Sequence, residues 1–206
     1  MRRARHVVVF ISLSMFGWTA SAVALPNVKL AQDSKPLMVI VVPDRATPQE
    51  NNAAGELKGY LDRITDGQFV IRPESNCKPE ARVFYVGATR ALTRTWPSLK
   101  LDALGKDGIV LKSSPARDIF IAGQSPRGTL YAAYSFLEDY CGVRWWTPTC
   151  EFVPSDSNLR IRAPDQVYSP VMDYRDSFSF CFNAMEKVYP DGARIRFCVK
   201  MKNNGF

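Results

Sequence analysis

One stretch limits what this 206-residue chain can become: Gly123 to Pro148, reading Gly-Gln-Ser-Pro-Arg-Gly-Thr-Leu-Tyr-Ala-Ala-Tyr-Ser-Phe-Leu-Glu-Asp-Tyr-Cys-Gly-Val-Arg-Trp-Trp-Thr-Pro. It follows a strand pattern, Asp118 to Ala122, and Ser125 with Pro126 has the form of a helix N-cap followed by proline in the first turn. Leu130, Ala133, Tyr134, Leu137 and Cys141 recur at helical spacing, so one face of the helix should meet a core. Gly142 suits a left-handed helix stop. If Val143 to Trp146 is extended, Trp145 and Trp146 point to opposite faces of the strand. One indole can serve this domain's core, and the other needs a second surface to cover it.

The chain ahead of this stretch alternates strands and helices. Pro36 to Pro43 is a continuous apolar run, the mark of a strand buried on both faces. Thr47-Pro48-Gln49-Glu50 reads as a capping box, and Ala53, Ala54, Leu57, Tyr60, Leu61 and Ile64 form one helical stripe ending near Asp66-Gly67. Gln68 to Arg72 and Arg82 to Gly87 read as strands, with a short helix or turn from Ala88 to Thr95. Gly87-Ala-Thr-Arg90 is too little for a phosphate loop and reads as a tight turn. Asp107 to Lys112 and Asp118 to Ala122 flank Ser113 to Arg117 as a hairpin. The order is β-α-β-β-α-β-β-α-β, an α/β (α+β) fold with a mixed sheet and helices packed on it. Its sheet core draws on Val39, Ile40, Val41, Phe84, Val86, Val110, Ile119 and Ile121.

Residues 1–24 have the physics of an export signal: Arg2, Arg3 and Arg5, then an apolar run from Val7 to Trp18, then Ala22-Val23-Ala24. That run is too short to span a bilayer, which takes about 20 residues, so no membrane anchor is expected after cleavage. The expected place is periplasmic or extracellular, in a bacterium. Cleavage takes three arginines and no acid, lowering the formal charge from +7 to +4. The remaining charge is spread along the chain, without the clustered Lys/Arg and aromatics of a nucleic-acid surface, so no nucleic-acid partner is expected. His6, the single histidine, leaves with the signal. Histidine acid-base chemistry, histidine nucleophile pairs and His-containing zinc sites leave with it, and neither a metal nor a cofactor is expected. In an oxidising compartment Cys141 and Cys150 are within reach of a disulfide across the helix-to-strand turn; free buried cysteines are the alternative.

The run Arg-Gly-Thr-Leu-Tyr-Ala-Ala-Tyr-Ser-Phe-Leu-Glu (127–138), with Gly142-Val-Arg-Trp145 and Thr147-Pro148 behind it, resembles the N-terminal domain of α-glucuronidase-type glycoside hydrolases and of related large secreted bacterial proteins. The resemblance covers residues 36–206. It implies an accessory unit packed against a TIM barrel that carries the catalytic carboxylates. Val171 to Asp176 resembles the first barrel strand, and Lys200-Met-Lys-Asn-Asn-Gly205 the end of the first barrel helix region. The expected organisation is thus signal 1–24, tether 25–35, accessory domain 36–162, linker 163–170 and the start of a truncated barrel at 171–206.

Glycoside hydrolysis needs two carboxyl groups about 5 to 9.5 Å apart across a cleft. Glu138 and Asp139 are adjacent on a helix and point apart, while Asp173, Asp176 and Glu186 fall in the barrel-like start, so no catalytic residue is assigned. Arg127 could hold a carboxylate at a helix N-terminus or serve as a structural arginine between domains. Trp145 and Trp146 could stack on a sugar or anchor an interface, and Tyr174 and Arg175, in the barrel-like start, could line a substrate pocket or the same joint. The expected function is an exported, non-catalytic brace for a barrel supplied in cis or in trans. The alternatives are a stand-alone carbohydrate-binding module taking polysaccharide, or one subunit of a split polysaccharide-degrading enzyme.

Overall fold

The computed structural model describes residues 27–78, 82–124, 127–175, 189 and 192–204. Residues 1–24 lie outside these, as do Ser125, Pro126, Asp176, Phe178, Phe180, Cys181, Phe182 and Glu186. The order expected from sequence is observed: β4 (Met38–Val42), α1 (Pro48–Thr65), β5 (Ile71–Pro73), β6 (Arg82–Val86), α2 (Arg90–Thr95), β7 (Ile109–Ser113), β8 (Ile119–Gly123), α3 (Gly128–Asp139) and β9 (Arg144–Thr147). Three short strands precede it: β1 (Asn27–Lys29), β2 (Ala31–Gln32) and β3 (Lys35–Pro36). After β9 come β10 (Cys150–Phe152), β11 (Arg160–Arg162), β12 (Asp165–Tyr168) and α4 (Ala193–Lys200).

The main sheet has six strands in the order β12-β7-β8-β6-β4-β5. β5, β4, β6 and β8 run parallel, while β7 is antiparallel to both β8 and β12, so the sheet is mixed as expected. Alternation along the strands assigns the two faces. Ile40, Val42, Phe84, Val86, Ile119 and Ile121 pack into one cluster with α1 and α3. Phe120 and Ala122 point the other way, onto Ala91 and Leu92 of α2 and the partly buried Trp96 and Leu99. The connection leaving β4 runs across the sheet in one direction and the one leaving β6 in the other, so right-handed crossovers put α1 and α2 on opposite faces. Seven of the eight expected sheet-core residues are buried, and Val39 is half-buried. Fully burying Phe84 alone stabilises the fold by about 1.5–3 kcal/mol.

α1 begins as its sequence dictates. Thr47 N–H donates to Glu50 Oε2 at 2.8 Å and Glu50 N–H to Thr47 Oγ1 at 3.2 Å, a closed capping box. All six stripe residues are buried. α3 departs from expectation: every residue from Gly128 to Leu137 is buried, because the sheet, α1 and α4 enclose it on several sides. A Cβ on Gly128 would lie 2.7 Å from Gly108 O and 2.8 Å from Gly123 C, so the Arg127-Gly128 turn needs glycine to bring α3 against β8. At the other end Gly142 has φ +78° and Val143 N–H reaches Leu137 O at 3.0 Å, closing the helix as expected.

Three segment boundaries are corrected. The expected tether is folded: β1 pairs antiparallel with β11, and Val28, Leu30 and Ala31 are fully buried. Apolar Val28 and Leu30 alternate with polar Asn27 and Lys29, a strand period carried by too few residues to stand out. The expected linker contains β12, the sixth strand, paired with β7 from Asp165 opposite Lys112 to Tyr168 opposite Ile109. At an open edge its side chains need no apolar pattern, and Val167 and Tyr168 are largely exposed. The described C-terminal residues do not stand apart, since Phe197 of α4 joins the main core. The expected disulfide is also corrected: Cys141 is buried and Cys150 exposed, and both are free thiols, as is Cys77. Burial pushes the Cys141 thiol well above its ordinary pKa, the state of an inert core cysteine.

Candidate functional site

Two polar clusters tie the C-terminal segment to the sheet domain, and between them they contain three of the five non-cysteine residues singled out from sequence. The first is built on Asp107, which lies just before β7 with φ +62° and has a fully buried side chain. Arg127 at the start of α3 donates to it through Nε at 3.3 Å and Nη2 at 3.5 Å. Arg175 Nη2 donates at 3.0 Å and Asn204 Nδ2 at 2.8 Å. Two guanidinium groups and an amide therefore surround one carboxylate, which offsets the cost of burying its charge.

Asn204 is saturated. Its Nδ2 also donates to Asp173 O at 2.7 Å, its Oδ1 accepts from Arg175 N at 2.7 Å, and its own N–H donates to Arg175 O at 2.7 Å. Arg175 in turn donates from Nε to Lys202 O and from Nη1 to Met172 O, while Arg127 Nη1 donates to Asn204 O at 3.3 Å. Tyr131 of α3 adds a bond from its hydroxyl to Asn203 O at 2.7 Å, and burial pushes that phenol up to about 12.

The second cluster centres on Tyr60 of α1. Its hydroxyl donates to Glu151 Oε2 at 2.6 Å and accepts from Trp145 Nε1 at 2.8 Å and from Lys200 Nζ at 2.7 Å, using its donor and both lone pairs. Arg63 Nη1 completes Glu151 at 2.6 Å. Burial alone would raise the Glu151 carboxyl, but the bonds from Tyr60 and Arg63 and the Lys200 charge outweigh it and hold it below the ordinary 4.5. Burial works against the Lys200 ammonium, yet Tyr60 and Glu151 keep its pKa above the ordinary value. Trp145 stands edge-on between Tyr60 and Tyr134, at 5.7 and 5.4 Å, with the Lys200 ammonium 5.8 Å from its ring.

The two tryptophans do face opposite ways. Trp145 is buried and Trp146 is 59% exposed, stacked on Phe152 of β10 with centroids 6.2 Å apart. Tyr174 is also largely exposed. Asp107, Tyr60, Glu151 and Lys200 were not singled out from sequence as site residues. Asp107-Gly108 reads locally as a strand start, and Tyr60 as one more apolar position of a helical stripe. Asn204 does fall within the Lys200 to Gly205 motif.

These arrangements clamp and bury; they do not place two free carboxyl groups across a cleft. Among the described residues no group of three or more His, Cys, Asp or Glu could hold a metal ion, and no helix is long and apolar enough to cross a membrane.

No curated protein matches the chain. Among solved structures it is similar to a family GH115 4-O-methyl-α-glucuronidase, BtGH115A, described as having specificity for decorated arabinogalactans. The TM-score is 0.53 at 15% identity, over 84% of this chain and 25% of that one, so the likeness is one of fold. Residues 23–136, more than half of the sequence, match the family described as the glycosyl hydrolase family 67 N-terminus, and the chain belongs to that family.

Proposed function

We propose that this protein is an exported, non-catalytic accessory unit of a glycoside-hydrolase-like protein, bracing a barrel domain that performs the chemistry. The observation that carries the reading is the Asp107 clamp. A buried carboxylate spends its bonding capacity on Arg127 of the sheet domain and on Arg175 and Asn204, which lie in the two segments that resemble the start of the barrel. A joint of this kind fixes the direction in which a following domain leaves the sheet. The exposed Trp146–Phe152 pair gives that domain an aromatic surface to cover. The GH115 likeness supports the reading in one further respect: the matched part is a quarter of a larger enzyme.

Two measurements test it. The purified chain should release no sugar from glucuronoxylan or aryl glucuronides; hydrolysis that survives repurification overturns the non-catalytic assignment. A glycoside-hydrolase barrel from the same source, expressed without its N-terminal unit, should gain thermal stability when this chain is added, and Trp146→Ala with Phe152→Ala should weaken the effect. A barrel indifferent to the chain overturns the brace.

A further inference from the structure

Strands β4, β6 and β8 end side by side at Val42, Val86 and Gly123, at the end of the sheet where β7 begins just after Asp107. From β4 the chain crosses to β5 on one side and then returns to β6 on the other, so the strand order reverses between β4 and β6. The carboxyl ends of parallel strands at such a reversal form a natural crevice in α/β sheets. Here the crevice has a volume of about 420 Å³, within the roughly 300–1,000 Å³ of small-molecule sites. Arg45, Glu50, Ala88, Asp102, Gln124 and Thr129 line it, with Pro43 and Leu101 as aliphatic wall.

Part of the lining is already committed. Glu50 Oε2 accepts from the Thr47 N–H and hydroxyl, and its Oε1 accepts from Ala88 N–H at 2.8 Å. Gln124 differs. Its backbone is fixed on both sides, N–H to Gly108 O at 2.9 Å and O from Gly128 N–H at 2.9 Å, yet its side-chain Oε1 is buried with no hydrogen-bond partner among the described residues. A buried amide oxygen left unpaired costs about 1–3 kcal/mol, so a ligand that reaches it recovers that energy.

The lining narrows the class of ligand. One cation, Arg45, is set against two carboxylates, Glu50 and Asp102, which disfavours an anion. Among the described residues no aromatic side chain lines the crevice, so they offer a planar base nothing to stack on. A hydroxyl both donates and accepts, and so pairs with the Gln124 amide through either its O or its N. We propose that this crevice binds a small neutral polyhydroxylated molecule, a monosaccharide or polyol, with the Gln124 side chain as its hydrogen-bond anchor. None of the clamp residues Asp107, Arg127, Arg175 and Asn204 lines the crevice, so its failure leaves the brace reading standing.

The test is amide NMR of the whole chain titrated with xylose and with myo-inositol, with glucuronate and inorganic phosphate as charged controls. Shifts should cluster at Ala88, Gln124 and Thr129 with one of the neutral probes. Gln124→Leu, of nearly the same shape, should bind about tenfold more weakly, as expected for one lost hydrogen bond, and should be no less stable without ligand. Ala88→Phe, which fills the crevice from an exposed position, should abolish the shifts should the first variant fail to fold. Shifts elsewhere, no shifts with either neutral probe, unchanged affinity in Gln124→Leu, or tighter binding of a charged control each overturn the proposal.

Discussion

Asp107→Asn is the most direct perturbation of the clamp. Asparagine keeps the shape and tolerates the left-handed backbone at φ +62°, which alanine would not, so the change isolates the charge. It leaves two guanidinium groups, with side chains 25% and 18% exposed, facing an amide that can accept only through its single oxygen. Breaking a buried pair by removing one partner costs about 3–5 kcal/mol. Because both arginines retain some contact with water, the lower end applies, about 3 kcal/mol. For a chain of this size that corresponds to a fall in Tm of roughly 6–12 °C. Denaturant unfolding gives the free energy, and hydrogen exchange locates it: amides of residues 192–204 should exchange much faster while those of β8 change by no more than the global loss. Arg175→Gln should cost less in the Asp107→Asn background than alone, because the partner is already gone. A loss below about 0.5 kcal/mol, the level of an ordinary surface substitution, or unchanged exchange at 192–204, refutes the clamp.

Tyr60→Phe removes the one atom shared by Trp145, Glu151 and Lys200; it should cost about 2 kcal/mol and alter Trp145 emission, and unchanged stability would deny the cluster a structural role. Glu151 has a folded pKa below its ordinary 4.5, so its contribution is full above that value and is lost as pH falls through the lower folded one. Lys200 and Tyr60 have raised folded values, so theirs is full below the ordinary 10.5 and 10.0 and is lost at still higher pH. Unfolding followed against pH should therefore weaken at both ends, and Tyr60→Phe should flatten both losses. Gly128→Ala drives a Cβ into the backbone of Gly108 and Gly123 and should cost at least about 2 kcal/mol by thermal unfolding, whereas Gly59→Ala, on the open face of α1, should stabilise slightly.

What was legible in the sequence was local. α1 announces itself because Thr47, Pro48 and Glu50 sit within four residues and its stripe repeats through Ile64. The opposite faces of Trp145 and Trp146 follow from a period of two residues and hold in the structure. What escaped depends on partners remote in the chain. β1 and β12 are short and half polar, and only pairing with β11 and β7 makes them strands. Arg127 could be suspected of a structural pairing, but nothing near it names Asp107 as the partner, since an Asp-Gly pair reads equally well as an ordinary turn. The Cys141–Cys150 bridge was suggested by proximity in sequence, whereas the fold sends one thiol into the core and the other to the surface.

The pairing of β1 with β11 also governs the order of events when the chain folds. Asn27 meets Arg162, so the first described strand cannot close until nearly the whole domain has been made. Until then Val28, Leu30 and Ala31 have no cover, and a chain released early would present them to its neighbours. Contacts so distant along the polymer slow the search for the native state, which puts refolding of this domain on the slower side for its size and makes its opening residues the last to lock.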